Sequence, residues 1–186
     1  MGVALYMYAR REAAVLGLFL LACQARATPA TMRRVEASGA CVAPFAQCVD
    51  VVTVPVPTPK HGEALIEVMA SSVNPSDRDT VEGGGCANGC GADISGKVVA
   101  CPGCTRLKVG DAVWALGSPA YADYAVVSES YTGLKPSSLD FLPAGTVPEV
   151  GLTSWLSLKR TAAKFPAPLP PGSPWPAAKC PLRTVN

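Results

Sequence analysis

Asp93-Ile94-Ser95-Gly96-Lys97-Val98-Val99-Ala100 is followed, after a turn, by Ala112-Val113-Trp114-Ala115; residues 93–115 read DISGKVVACPGCTRLKVGDAVWA. Both runs are rich in β-branched and aromatic residues and are bounded by Pro, Gly and charged residues, the pattern of short strands. Gly96 marks a bend or a close backbone approach inside the first strand. Lys108-Val109-Gly110-Asp111 has turn chemistry.

The flanks repeat the theme. Cys48 to Val56 (CVDVVTVPV) is a strand that stops at Pro55 and Pro57, and Pro57 to Gly62 is a turn. Glu63 to Val73 is a further strand; adjacent Leu65 and Ile66 suggest burial on both faces. Gly83 to Gly91 (GGGCANGCG) is a flexible loop, and Ala122 to Val127 and Thr132 to Lys135 are two more short strands. Strands at this spacing, without helices between them, indicate a barrel or sandwich rather than a βαβ sheet. One helix closes the block. Thr146 and Glu149 are spaced as a capping box, and Val147, Val150, Ser154, Trp155 and Leu158 follow at helical spacing, with Lys159, Arg160 and Lys164 near the C-terminal end. From Phe165 the chain reads FPAPLPPGSPWPA, an extended proline-rich linker.

The N-terminus has a different character. Arg10 and Arg11 precede ten apolar residues (Ala13 to Ala22), then Ala25 and Ala27 give an A-x-A pattern. This is the order of a secretory signal, and the run is too short to cross a bilayer. An organelle transit segment or an artefactual extension fits the same residues. The location implied is the secretory pathway or an organelle, with the cytoplasm as the alternative.

Composition bounds the function. The chain has 186 residues, of which 49% are apolar and 16% charged, so it is not disordered by composition. Gly and Pro together number 35, high for a helical bundle. Beyond residue 27 the basic and acidic residues balance at 13 each, and no basic stripe is present, which argues against nucleic acid.

Taken together, the motifs resemble the N-terminal domain of the medium-chain dehydrogenase/reductase superfamily, in its zinc-independent, quinone-oxidoreductase-like branch. Val54-Pro55-Val56-Pro57 with Gly62-Glu63-Ala64-Leu65-Ile66 resembles that family's proline strand and the strand after it. Ser72-Val73-Asn74-Pro75-Ser76-Asp77 is similar to its VNPxD segment, and Gly91-x-Asp93-x-x-Gly96-x-Val98 to its GxDxxGxV segment. Lys108 to Trp114, Ala120 to Tyr124 and Val150 to Trp155 resemble KVGDxVW, AYAEY and VGLTAW, in the family's order. The resemblance implies a mainly β fold: a partly open GroES-like β-barrel of short strands with one C-terminal helix. It also implies a Rossmann cofactor domain after the barrel. No G-x-G-x-x-G fingerprint occurs in the 186 residues, so that domain is expected to be missing and the chain to be a truncated one. The expected divisions are a targeting segment at 1–30, the barrel at 31–145, a helix at 146–164 and a proline-rich end at 165–186.

The same resemblance implies the site. Asn74 and Asp77 would line the catalytic cleft. Asn74 would orient the nicotinamide or a substrate carbonyl by hydrogen bonding, and Asp77 would hold the loop or join a polar network. Thr153 would sit near the nicotinamide as a cofactor contact. Each also has an ordinary reading, as a turn dipeptide or a local helix hydrogen bond. Zinc-dependent relatives place a cysteine near Ser76 and Gly-His-Glu near Gly91-Ala92-Asp93; this sequence has neither, so no metal is expected. Cys86-x3-Cys90 with Cys101-x2-Cys104 could supply four thiolates. Disulfides within each pair are an alternative in an oxidising compartment, and free thiols are the default. His61 reads as a solvated turn residue. The glycine-rich loop at 83–91 is followed by a strand rather than a helix, which excludes a phosphate cradle. No G-x-S-x-G setting supports a serine hydrolase.

The expected function is therefore that of an NADPH-dependent oxidoreductase family, reducing a quinone, enone or enoyl substrate by hydride transfer, in a chain inactive alone. The alternatives are a non-catalytic barrel acting as a binding or scaffold module and a secreted disulfide-containing domain of unrelated role. The expected partner is a small-molecule substrate, with no stable membrane span. Self-association through an apolar face at Trp155, Leu156 and Leu158 is a corollary.

Overall fold

The computed structural model describes residues 27–41 and 47–162. The signal-like run before residue 27 and the proline-rich segment after 162 lie outside these residues.

The apolar strands form two antiparallel sheets. β1 (Thr31–Ala37) and β2 (Val49–Pro55) pair as a hairpin. β3 (Glu63–Ala70), β4 (Asp93–Ala100), β5 (Ala112–Leu116), β6 (Tyr124–Ser128) and β7 (Thr132–Leu134) form a five-stranded sheet in the order β6-β3-β4-β5-β7. The sheet curls into a half-barrel around Ile66, Ile94, Val98, Val113, Ala125 and Val127. The mainly β, GroES-like architecture expected from the sequence is the one found. In β3, Ala64, Leu65 and Ile66 are all buried, as their adjacency implied.

Gly96 shows why the sheet closes here. A Cβ at that position would lie 2.1 Å from the Glu67 carbonyl oxygen and 2.8 Å from Ile66 Cγ2. Only a residue without a side chain lets β4 approach β3 this closely, and the pair carries register shifts at Leu65/Ile66 and Val68/Ala70.

The hairpin is held to the sheet by segment 120–123. Val35 N donates to Tyr121 O (2.9 Å), and Asp123 N donates to Arg33 O (3.0 Å). The Arg33 guanidinium pairs with Asp123 at 2.9 Å.

The helices depart from the expectation of a single one. α1 (Pro75–Glu82) follows the Asn-Pro dipeptide that reads locally as a turn. Asn74 is extended, as a residue before proline must be, and Pro75 occupies the first helical position. Asp77 then reaches back to accept from Asn74 N at 2.7 Å. α2 (Phe141–Ala144) is one turn, tied to β4 by Ser95 Oγ donating to Phe141 O. α3 (Pro148–Ala162) is the expected helix, but the capping box is not formed. The helix starts at Pro148, one residue later than a Thr146 cap requires; Glu149 N donates to Asp93 Oδ1 and Thr146 Oγ1 donates to Pro143 O (2.9 Å) instead.

The cysteines correct the free-thiol expectation. Cys41–Cys48, Cys86–Cys90 and Cys101–Cys104 are disulfides, with Cα atoms 6.0, 4.9 and 5.5 Å apart. Cys86 and Cys90 pack with Cys41, Ala37 and Val81, whereas Cys101 and Cys104 pack against the half-barrel core. The four thiolates weighed as a zinc set therefore belong to two separate clusters.

Candidate functional site

Most of the polar side chains buried in this fold converge at one end of the half-barrel. Asp93 opens β4 and is fully buried; Asn74 and Asp77 are each 7% exposed. Strand pairing fixes Asp93, and the loop from β3 to α1 brings the others to it.

Each oxygen of Asp93 is used. Ser72 Oγ (2.5 Å) and Asn74 Nδ2 (2.9 Å) donate to Oδ2, Glu149 N donates to Oδ1 (2.6 Å), and Ser71 Oγ donates to the main-chain oxygen (2.6 Å). Burial of a carboxylate is costly unless donors surround it, and these donors meet that condition. Asp93 thereby links β4, the β3–α1 loop and the N-terminus of α3.

Asp77 forms the second half. Its Oδ2 accepts from Asn74 N and from the Tyr121 hydroxyl, the latter at 2.7 Å. The phenol shares its proton with Ser72 O at 3.0 Å. Tyr121 is held well above the usual phenol range, first by burial, then by the hydrogen bond to Asp77 and the charges of Asp77, Asp93 and Glu149. Glu149 Oε1 accepts from Ser76 Oγ (2.5 Å), while its Oε2 is buried with no partner.

An open, largely apolar cavity of about 350 Å³ abuts Asp77 and Tyr121, walled by Val35, Val49, Val81 and Cys90. Asp77, Arg78 and Tyr121 stand at its edge, but the surface it exposes is almost wholly hydrocarbon, which suits a small apolar molecule.

The structure brings Asn74 and Asp77 together. Thr153 stands apart, exposed on α3 beyond the cluster. His61 is exposed, in the turn before β3. Among the described residues no group of three or more potential metal ligands is assembled. The sequence reading named Asp93 and Tyr121 only as motif positions and assigned them no part. A charged residue at the head of an apolar strand was the available signal for Asp93. Tyr121 had no comparable signal, because its partner lies 44 positions away.

The curled half-barrel of short antiparallel strands is the architecture of a GroES-like domain. Residues 60–137 match the family described as "Alcohol dehydrogenase GroES-like domain". Over these residues the chain is similar to members of the medium-chain dehydrogenase/reductase superfamily. It is 30% identical over 128 residues to a zinc-type alcohol dehydrogenase-like protein of Schizosaccharomyces pombe, covering 62% of this chain and 38% of that protein. It is 29% identical over 117 residues to a mitochondrial NAD(P)H oxidoreductase, RTN4IP1, of Dictyostelium discoideum, covering 54% and 33%. Among solved structures, a quinone oxidoreductase from Coxiella burnetii superposes with a TM-score of 0.63 at 27% identity, covering 71% of this chain and 45% of that one. The chain thus spans little more than a third of the length of these curated relatives.

Proposed function

We propose that the described domain is the substrate-side unit of an NADPH-dependent oxidoreductase that transfers hydride to a quinone, enone or enoyl substrate. The observation that carries this reading is the rim cluster of Asn74, Asp77, Tyr121 and Asp93 beside an apolar cavity. Relatives that act as oxidoreductases, one of them named for NAD(P)H, support the class of reaction and the nicotinamide cofactor.

NADPH would supply the hydride. The chain's own residues would position the acceptor. Asn74 Nδ2 donates to Asp93 Oδ2 and, at 3.5 Å, to Ser72 Oγ, which fixes the plane of its side chain; the second amide hydrogen would turn from Ser72 to the substrate carbonyl. Asp77 holds Tyr121 and the start of α1 and thereby fixes Asn74. Thr153 would meet the cofactor from α3. Residues 31–145 then form the substrate side, and 146–164 lead toward a cofactor-binding unit. No βαβ unit occurs among the described residues, and this chain by itself would not turn over. A mitochondrial relative accords with an organelle location.

A second reading, a barrel acting by association, is favoured by α3. Leu152, Trp155 and Leu158 are 45–63% exposed and spaced three residues apart on this helix, an apolar stripe that a second copy could cover.

Duroquinone tests the first reading, since its methyl groups block thiol addition. Titration followed by amide NMR should shift Asn74, Asp77 and Tyr121 together with the cavity walls, while NADPH absorbance stays at the buffer rate. Uniform or absent shifts would remove the substrate-side reading, and turnover above buffer would remove the claim of inactivity.

A further inference from the structure

Cys101-Pro102-Gly103-Cys104 lies at the opposite end of β4 from Asp93, away from the rim cluster. The four residues form a tight turn: Cys104 N donates to Cys101 O (3.3 Å), and Gly103 has φ +70. Proline then glycine at the two central positions is the pairing such a turn requires. A second bond, Gly62 N to Pro102 O (2.8 Å), ties the turn to the head of β3. His61, the only histidine of the chain, packs on Gly103; a Cβ there would lie 2.2 Å from its Nε2.

Two comparisons separate this disulfide from the others. Cys86 and Cys90 are both buried and Cys41–Cys48 has one buried end and one half-buried end, whereas Cys101 and Cys104 are both half-buried, and Pro102 and Gly103 are exposed. Attack on a disulfide needs an approach to sulfur, and this is the one of the three with neither cysteine buried. Closing so small a ring also removes little freedom from the unfolded chain, so the bond is a weak brace. None of the turn's backbone hydrogen bonds involves sulfur, so opening the sulfur–sulfur bond removes none of them directly.

We propose that Cys101–Cys104 is a reversible thiol–disulfide exchange site for small dithiols and glutathione-class thiols. A thiolate of the incoming dithiol attacks one sulfur, forming a mixed disulfide and releasing the other cysteine as thiolate. The second thiol of the reagent then attacks its own bonded sulfur. The protein disulfide gains two electrons and, with two protons passed on from the reagent's thiols, becomes two thiols. The dithiol loses two electrons and closes to a disulfide. Oxidised dithiol or oxidised glutathione runs the cycle backwards. The His61 imidazole, lying against Gly103, would relay these protons; Arg106 and Glu129, bonded to each other, are charged groups in the segments that follow.

Dithiothreitol is the probe. The full chain is exposed to it under native conditions, quenched in acid, alkylated and mapped by peptide mass spectrometry. Cys101 and Cys104 should be labelled about tenfold or more faster than Cys41, Cys48, Cys86 and Cys90. Added oxidised dithiothreitol should restore the Cys101–Cys104 peptide without change in circular dichroism. Equal labelling of all three pairs, labelling only after unfolding, or failure to re-form the bond would each overturn the proposal. The Cys101→Ser/Cys104→Ser double variant, folded by circular dichroism, should lose the fast phase alone; persistence of that phase would count against it equally.

Discussion

Tyr121 and Asp77, 44 residues apart, meet through a 2.7 Å hydrogen bond that ties segment 120–123 to the first turn of α1. Tyr121→Phe removes the donor and leaves a buried carboxylate oxygen with one partner fewer. Urea unfolding should show a loss of about 2 kcal/mol, because the acceptor is charged. A change below experimental error would mean that the phenol is replaced by solvent without penalty.

The same phenol sets an alkaline limit. Burial and the Asp77 hydrogen bond raise it above the ordinary phenol value of 10.0, so the native state holds its proton longer than the unfolded chain does. Stability from this group is complete below pH 10 and falls as pH rises above it. Absorbance at 295 nm should show one of the five tyrosines ionising only with unfolding. Its titration in step with the others would contradict the burial described.

Asp93→Asn should be severe. An amide cannot accept on both side-chain atoms, so the donor from Ser72, Asn74 or Glu149 meets another donor. The expected loss is about 3 kcal/mol by thermal or urea unfolding. A variant as stable as the parent would show that the cluster is not charge-held.

Gly96→Ala tests the close approach of β4 to β3. The added methyl would sit 2.1 Å from the Glu67 carbonyl, and backbone cannot yield as a flexible side chain can. A loss of about 3 kcal/mol or more, or insolubility, is expected. Normal expression with an unchanged melting curve would refute the contact.

Glu129 offers an acid-side counterpart. Its carboxylate accepts from the backbone N–H groups of Arg106, Thr105 and Leu107, which hold it below the usual carboxylate range. A depressed carboxylate stabilises above its unfolded value of 4.5 and ceases to do so as pH falls through the folded value. Amide protection at residues 105–107 should drop in that window, and Glu129→Gln should abolish the dependence. Protection independent of pH in the parent would exclude this latch.

α3 provides the association test. Trp155→Lys with Leu158→Lys replaces two exposed apolar residues, so unfolding should change by no more than about 0.5 kcal/mol. Any concentration-dependent rise in apparent mass by light scattering should disappear. A parent chain that is monodisperse at all concentrations would end the association reading.

Six of the seven strands were legible because β-branched runs punctuated by Pro and Gly leave few alternatives, and Leu65 beside Ile66 announced a strand covered on both faces; β1, where Arg33, Arg34 and Glu36 break up the apolar residues, was not. Helix α1 was not. PSDRDTVE carries one buried apolar residue, Val81, so no 3.6-residue stripe exists to be read. Its helicity comes from Pro75 at the first position and the Asp77 reach-back, with Asp77 further fixed by Tyr121 from across the fold. Thr146 misled for the opposite reason: the spacing of a cap was present, but Pro148 moved the helix start past it. Asn74 and Asp77 were found by motif, whereas Asp93 and Tyr121 gained meaning only when tertiary structure put them within reach. The disulfides depended on three short-range pairings that spacing alone left open.

Segment 120–123 is gripped on one side by the β1–β2 ribbon and on the other carries the phenol that holds α1. Detachment of that ribbon would be a sub-global opening, cheaper than melting the five-stranded sheet. It would also loosen the rim cluster before the half-barrel itself failed. The N-terminal ribbon thus acts as a splint, and proteolytic nicking near residue 57 would blunt the site while leaving the sheet intact.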